Sequence, residues 1–380
     1  MSEQRLGHSY HIWKSMMRTP EILEACLVQP IKSSIERVAD HLAELGTRRV
    51  FCSGTGSSSY ASIVHAMALQ QVAGLHASCH VTSELGAYPP PDLAKGSLLL
   101  VTSHTGHTAG DVSVVKLAKQ RGVYTIGVTD IANSPLAEVV NETLLGPGGP
   151  KEELPATRTY VAAMFRVIQL ALALATRLDR PNLGLTLEEL HKLPGTLRSF
   201  LESFTPQASE YATRLIGVKQ YFVISAGPNM STAQEGALIL LQSTDAGALA
   251  FHVEEMLHGP IQALRSGMGV IAVAAPGPLQ ARILQSAQAC AMIGATVLTI
   301  IPQDTATTGG AGMCIHMPPG VPEILTPLLY IVPFWLIGYH CALASGRDPD
   351  NLSRDRPEFK RAFRLLMAGD PRFVGAPGSG

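Results

Sequence analysis

The 380-residue sequence is short of charge: Asp, Glu, Lys and Arg make up 16% of it, and the formal net charge is −1. No run of lysine or arginine disturbs that balance, so the electrostatic footprint of a nucleic-acid binder is missing. Cysteine is thin as well. Cys26, Cys52, Cys79, Cys290, Cys314 and Cys341 are scattered without a C-x-x-C pair. They read as reduced thiols of a cytoplasmic protein, not as a disulfide or zinc framework. The opening stretch MSEQRLGHSYHIWKSM lacks the apolar core of a secretory signal. The greasiest run, PLLYIVPFWLIGYHCALA, is interrupted by Pro333 and falls short of uninterrupted bilayer length. It reads as a buried helix, so no membrane partner is expected. Several catalytic signatures are absent too. No H-E-x-x-H pattern occurs, and His252 and His258 stand at a spacing unsuited to one helix face, so no metal is expected. GTGSSSY is not a G-x-S-x-G elbow. Neither a Walker lysine nor a G-x-G-x-x-G turn is present, and no cofactor is expected.

What is present is apolar patterning, with 46% hydrophobic residues on a chain long enough for two domains. A helical segment over roughly 10–45 is followed by short apolar strands alternating with longer helical stretches. RRVFCSG, SLLLVTSHTG and VYTIGVTD read as strands; SSYASIVHAMALQQVAG and AGDVSVVKLAKQRG read as the helices between them. That alternation predicts βαβ units, hence an α/β fold with mostly parallel sheets flanked by helices. After a helix-rich stretch the pattern begins again with QYFVISAGPN, STAQEGALILLQS, GMGVIAVAAPG, LQARILQSAQACAMIGA and TVLTIIP. The expected division is a helical segment over 1–45, a first α/β unit over 46–205, a second over 206–345 and a tail over 346–380.

Two turns in the first unit carry chemistry. GTGSSS (Gly54 to Ser59) and SHTGHT (Ser103 to Thr108) each follow a predicted strand and precede a predicted helix. Glycine lets backbone approach closely, hydroxyls donate, and a helix N-terminus favours negative charge. Together these make a phosphate cradle, at the strand ends where open α/β sheets place ligands. A single such turn could be no more than a helix cap; two on consecutive strands argue for a ligand.

A third stretch, EGALILLQSTDAGALAFHVEEMLHGP, gathers His252, Glu254, Glu255 and His258 just before a Gly-Pro stop. Imidazole exchanges a proton near neutral pH and suits acid–base work.

GTGSSS followed by S-x-T-G-x-T resembles the paired loops of the sugar isomerase (SIS) domain. YHIWKSMMRTPEIL, TSELG, EGALILLQ, EEMLHGPI and LTPLLYIVPFWLIGYHCALASGRDPDNL are similar to successive landmarks of the isomerase half of glutamine:fructose-6-phosphate aminotransferases, in the same order. The resemblance covers about residues 10–352. It implies two tandem SIS domains of flavodoxin-like three-layer build, a phosphorylated sugar or sugar–amine adduct as ligand, and a homodimer with a shared active site. The family's glutaminase part has no counterpart in this sequence, so glutamine hydrolysis is not expected.

Carried over residue by residue, the resemblance puts Thr55, Ser57 and Ser58 on the sugar phosphate, with Ser103, His104, Thr105 and Thr108. His104 stands where the family often has Gln. His258 matches the ring-opening His that reaches the partner subunit's site, and Glu255 could orient it or face substrate. Glu235 opens the EGAL motif, and Glu152 or Glu153 matches a Glu before ATRTY. The family places its C1–C2 proton-transfer carboxylate seven residues beyond Glu235, where Gln242 stands here; Ile239 replaces a family Lys, and Arg354 stands in for the tail Lys. An amide is no general base, and a guanidinium stays protonated. Two expectations therefore stand side by side. One is a phosphosugar isomerase, deaminase or deglycase using His258 and another carboxylate; the other is a phosphosugar-binding or regulatory protein that does not isomerise.

Overall fold

The computed structural model describes residues 8–150, 156–180, 185–305, 312–352 and 356–366. Three helices come first, α1 (His11–Met17), α2 (Thr19–Cys26) and α3 (Ile31–Glu44). The first α/β unit then runs β1 (Arg49–Gly54), α4 (Ser57–Gln71), β2 (His76–Val81), α5 (Thr82–Ala87), β3 (Ser97–Thr102), α6 (Ala109–Gln120), β4 (Tyr124–Thr129), α7 (Pro135–Val139) and β5 (Glu142–Leu145). Two long helices, α8 (Arg158–Arg177) and α9 (Leu187–Leu215), lead to the second unit. This is built from β6 (Gln220–Ser225), α10 (Met230–Ser243), β7 (Gly247–His252), α11 (Val253–Leu257), β8 (Gly269–Val273), α12 (Gln280–Met292), β9 (Thr296–Pro302) and β10 (Met313–Met317). The helices α13 (Thr326–Tyr330), α14 (Val332–Ala344) and α15 (Pro357–Leu366) close the described chain.

Each unit has one five-stranded sheet, and the order repeats. The first is β2-β1-β3-β4-β5 and the second β10-β9-β8-β6-β7, the same sequence of places read from the other edge. Every pairing is parallel. Parallel strands covered by helices on both faces should be apolar throughout. Accordingly SLLLVT in β3 and GVIAV in β8 are buried at every position. The alternation of strand and helix is thus realised as expected, with the two units alike in topology.

The helices between and after the sheets form much of the core. Residues 158–177 and 323–344 are apolar and long enough to cross a membrane, yet 83% and 94% of their apolar windows are buried inside the protein. They are core helices. PLLYIVPFWLIGYHCALA is one of them, as its interrupted pattern implied. Helix α9 starts on a capping box between Thr186 and Glu189. It then runs unbroken through position 205, where the sequence suggested the first unit ends.

Candidate functional site

In a 2-1-3-4-5 sheet the chain leaves β1 and β3 in opposite directions, and the crevice between their carboxyl ends is the usual ligand position. The β1–α4 and β3–α6 turns flank that crevice. The first is tight because Gly54 lies under the first turn of α4: a Cβ there would stand 2.5 Å from the Ser58 carbonyl carbon. Gly56, at φ +60°, is the N-cap of α4. In the second turn Gly106, at φ +66°, has no room for a side chain because Ser134 fills that place. At the starts of α4 and α6 the Ser59 and Asp111 N–H groups bond to the N-cap carbonyls of Gly56 and Thr108, and the N–H groups before them lie ahead of any intrahelical acceptor, at the crevice end of their helices.

The cradle residues are brought together. Ser103 is buried, its N–H bonded to the Val128 carbonyl. Its Oγ lies 3.5 Å from Thr108 Oγ1, and Thr108 is the N-cap of α6. Thr105 is half-buried, and its carbonyl lies 2.6 Å from His107 Nδ1. Thr55 Oγ1 donates to Asp111 Oδ1 at 3.4 Å. Asp111, in the first turn of α6, is buried; desolvation pushes its carboxyl up, while hydroxyls of Ser103, Thr82, Thr108 and Thr55 pull it back. The sequence reading passed over this residue, although an Asp three places into a helix that follows a hydroxyl-rich turn was the signal.

Ser57 turns toward the second unit. Its hydroxyl donates to Glu235 Oε1 at 3.0 Å, and Glu235, on α10, is fully buried. Tyr160 of α8 makes a parallel link, its OH 2.5 Å from Ser231 Oγ. Burial and the nearby Glu235 charge push the Tyr160 phenol well up, so it stays protonated. The two units therefore meet through hydroxyls and a carboxylate beside the cradle.

Behind the cradle lies a recess of about 20 Å³ lined by Ser57, Ser58, Thr102, His104, Tyr160 and Arg166, among others. That is room for about one water-sized group. His104 forms one wall. Its carbonyl accepts from the Asp130 N–H and from Thr129 Oγ1, and its Nδ1 lies 3.2 Å from Asp130 Oδ2, though not in line for a straight hydrogen bond. Asp130 is in turn held by Arg166 at 2.8 Å. Burial would raise the Asp130 carboxyl, but Arg166, His104 and Arg158 hold it below the usual carboxylate range. Arg166 is itself buried and donates to the carbonyls of Ala162, Thr129 and Leu144. A lone arginine in YVAAMFRVIQLALALA was visible in the sequence, but nothing local named its partner.

The other expected residues that the structure describes belong to the second unit. His258 is the exposed C-cap of α11, beyond the edge strand β7, and Glu255 is exposed beside it. His252 caps α11 by accepting from the Glu254 N–H at 3.2 Å. Glu254 takes two bonds from Arg282, at 2.8 and 3.2 Å. The crowd of charge before Gly259-Pro260 is thus a helix cap, an ion pair and two exposed groups. Ile239 is buried in the core. Gln242 is half-buried near the end of α10, its carbonyl accepting from Arg347 at 3.4 Å. Glu152, Glu153 and Arg354 lie outside the described residues. Among the described residues no group of His, Cys, Asp and Glu is arranged to hold a metal ion.

The second sheet has an equivalent crevice, at the ends of β6 and β8, but it is furnished differently. Ser225 is buried and donates to the Val273 carbonyl. A Cβ added to Gly277 would run into the Glu323 carboxylate, and one on Gly227 would stand 3.0 Å from it. Glu323 therefore occupies the place that the first crevice leaves to hydroxyls, and burial pushes its carboxyl up.

Comparison with known proteins agrees with this fold. Residues 46–173 match a protein-family model described as the SIS domain. The glutamine–fructose-6-phosphate aminotransferase (isomerizing) of Gloeobacter violaceus is 29% identical over 356 residues, covering 91% of this chain and 58% of that protein. Its namesake from Pyrococcus horikoshii is 27% identical over 344 residues, covering 90% and 56%. The chain thus spans between half and three fifths of the length of these relatives. Among solved structures, the C-terminal domain of glucosamine-fructose-6-phosphate aminotransferase from Francisella tularensis superposes with a TM-score of 0.81 at 18% identity, covering 90% of this chain and 99% of that one. Tagatose-6-phosphate ketose/aldose isomerase from Escherichia coli gives 0.78 at 18% identity, covering 91% and 95%. Residues 46–173 are a SIS domain, and the chain is homologous to the isomerase half of glutamine–fructose-6-phosphate aminotransferase.

Proposed function

We propose that this protein processes a phosphorylated sugar, whose phosphate sits between the β1–α4 and β3–α6 turns. One observation carries the reading: two hydroxyl-bearing turns and two helix N-termini converge on the switch point of the first sheet. The names of the homologues, isomerising aminotransferases acting on fructose 6-phosphate, support the same ligand class. In this reading residues 46–205 form the substrate-binding SIS domain and 206–345 a second one, in a cytoplasmic protein. The reaction belongs to the aldose–ketose isomerase, aminosugar-phosphate deaminase or deglycase type.

The chemistry requires a group that opens the sugar ring and a carboxylate that moves a proton between C1 and C2. His258 is the ring opener in this proposal. It is exposed at the end of α11, after the edge strand β7 of the second sheet, and in this proposal it serves the partner's site in a homodimer. Glu235 is joined to the cradle through Ser57 and is one candidate carboxylate; Glu255 and Glu152 or Glu153 are the others. Gln242 favours a second reading, a phosphosugar-binding or regulatory protein without turnover, since its amide cannot take the proton.

Proton NMR in D2O with a panel of hexose and aminohexose phosphates separates the two. Deuterium entering C1 or C2, and vanishing in His258→Ala, supports the enzyme. Saturable line broadening without exchange supports the binding protein, and silence on both counts removes the phosphosugar assignment.

A further inference from the structure

A second cavity, of about 340 Å³, is bounded by α1 and the start of α8, and it shares no described lining residue with the recess behind the cradle. Lys14, Arg18 and Arg158 line it, and among the described residues no carboxylate does. The chain as a whole has a net charge of −1, so this concentration of one sign is local. It comes from spacing. His11, Lys14, Ser15 and Arg18 follow the i, i+3, i+4, i+7 pattern of one helix face. Buried Ser15 sets that face against α8, its Oγ 2.7 Å from Thr157 Oγ1.

The three cations have no acidic partner of their own. Lys14 and Arg18 are exposed and make no ion pair among the described residues. Arg158 is only 7% exposed, and a buried guanidinium normally has an anion beside it. Here it donates to the carbonyls of Gly148 and Pro150 instead. Asp130 feels the Arg158 charge, but its ion pair is with Arg166. Asp350 accepts from the His11 and Ile12 N–H groups at the start of α1. Helix α8 adds to the same sign. It is 20 residues long, and its N-cap Thr157 makes no side-chain cap, the hydroxyl lying against Ser15. The positive end of the helix dipole therefore stands at Arg158.

We infer that this cavity is a second anion site, separate from the cradle, for a small oxyanion of two or more negative charges, of the polyphosphate or polycarboxylate kind. Lys14, Arg18 and Arg158 supply the counter-charge, and the anion supplies what Arg158 lacks. The volume lies at the lower end of small-molecule sites and admits more than one phosphate or carboxylate group. Half-buried Trp13 and Met17 form its apolar wall. A hexose 6-phosphate brings a single phosphate and engages fewer of these cations, so the cradle remains its site. The inference stands independently of the cradle.

Isothermal titration of the full chain with pyrophosphate and with citrate tests this. A Ser58→Ala/Ser103→Ala variant, stripped of cradle hydroxyls, should still bind at least one of the two anions once per chain. Whichever binds tighter identifies the class. Lys14→Ala/Arg18→Ala removes two exposed side chains and should lower that affinity about tenfold or more, while hexose 6-phosphate binding stays unchanged. Added salt should weaken the binding, because two of the three cations are exposed and screened. The chain has two tryptophans, Trp13 at the cavity and Trp335 in the core. Wild-type tryptophan emission should therefore change through Trp13 and saturate at the calorimetric affinity, a readout that needs no variant to fold. Affinity unchanged in Lys14→Ala/Arg18→Ala, or no saturable binding of either anion, overturns the inference. Pyrophosphate or citrate held by Lys14 and Arg18 while no hexose phosphate binds overturns the cradle and leaves this site standing.

Discussion

Asp111 and Asp130 both stand beside the β3–α6 turn and are tuned in opposite directions, so their pH signatures have opposite signs. The folded carboxyl of Asp130 is held low by Arg166 and His104. Its stabilisation is complete above the unfolded carboxylate value of about 3.9 and is lost as pH falls through the lower folded value. Asp111 is pushed up by burial. The folded state keeps its proton longer there, so stability falls as pH rises from about 3.9 through the raised value. Asp111→Asn should abolish that alkaline-going loss, measured by denaturant unfolding between pH 4 and 7. Asp130→Asn should behave otherwise. It leaves buried Arg166 without its counter-charge and should cost about 3–5 kcal/mol, seen as a lower unfolding midpoint at unchanged slope. Ser57→Ala removes the hydroxyl that joins the two units through Glu235 and should cost about 1.5–3 kcal/mol. A change within 0.5 kcal/mol would mean that link is incidental.

At the scale of elements, the turns matter because helices are delivered to them closely. Gly54→Ala would drive a methyl into the Ser58 carbonyl carbon, 2.5 Å away. It should move the start of α4, weaken hexose-phosphate binding at least tenfold, and lower stability by about 1–3 kcal/mol; titration and unfolding check the two effects separately. The central strands were legible in the sequence because they are buried on both faces and read as unbroken apolar runs: RVFCSG, SLLLVT, YTIGVT, QYFVIS, GVIAV, TVLTIIP. The edge strands were not. HASCHV, ETLL, GALAFH and MCIHM are short or half-exposed, and a half-buried edge carries neither a long apolar run nor a clean alternation. The cradle was legible for the same reason as the central strands, since glycine and hydroxyls at a strand end are a local pattern. The Asp130–Arg166–His104 chain was not, because it joins residues just after β3 and β4 to one on α8, which only the fold brings together. His258 was legible as a motif, but its place at the end of α11, after the edge strand β7, belongs to the tertiary structure.

For the whole molecule, the repeated sheet order raises the question of whether the repeated crevice is a second binding site. Its hydroxyl is spent on a backbone carbonyl, and the Glu323 carboxylate stands against both of its turns. A carboxylate repels phosphate, so titration should return one hexose phosphate per chain; two equivalent sites would contradict this assignment. If the active site is shared between two copies, mixing inactive His258→Ala with an inactive Ser58→Ala variant should restore activity, because some mixed sites combine an intact cradle with an intact His258. No recovery after subunit exchange would contradict a site shared between two copies. These expectations all depend on a phosphate bound between the first two turns. The most direct measurement is the affinity of a hexose 6-phosphate against the same hexose without phosphate, for wild type and Ser103→Ala. The account predicts saturable binding of the phosphorylated sugar alone, weakened about tenfold or more in the variant, since a hydrogen bond to a charged group contributes about 1.5–3 kcal/mol. Equal binding of both sugars, or a phosphate-dependent affinity that Ser103→Ala leaves intact, would contradict it.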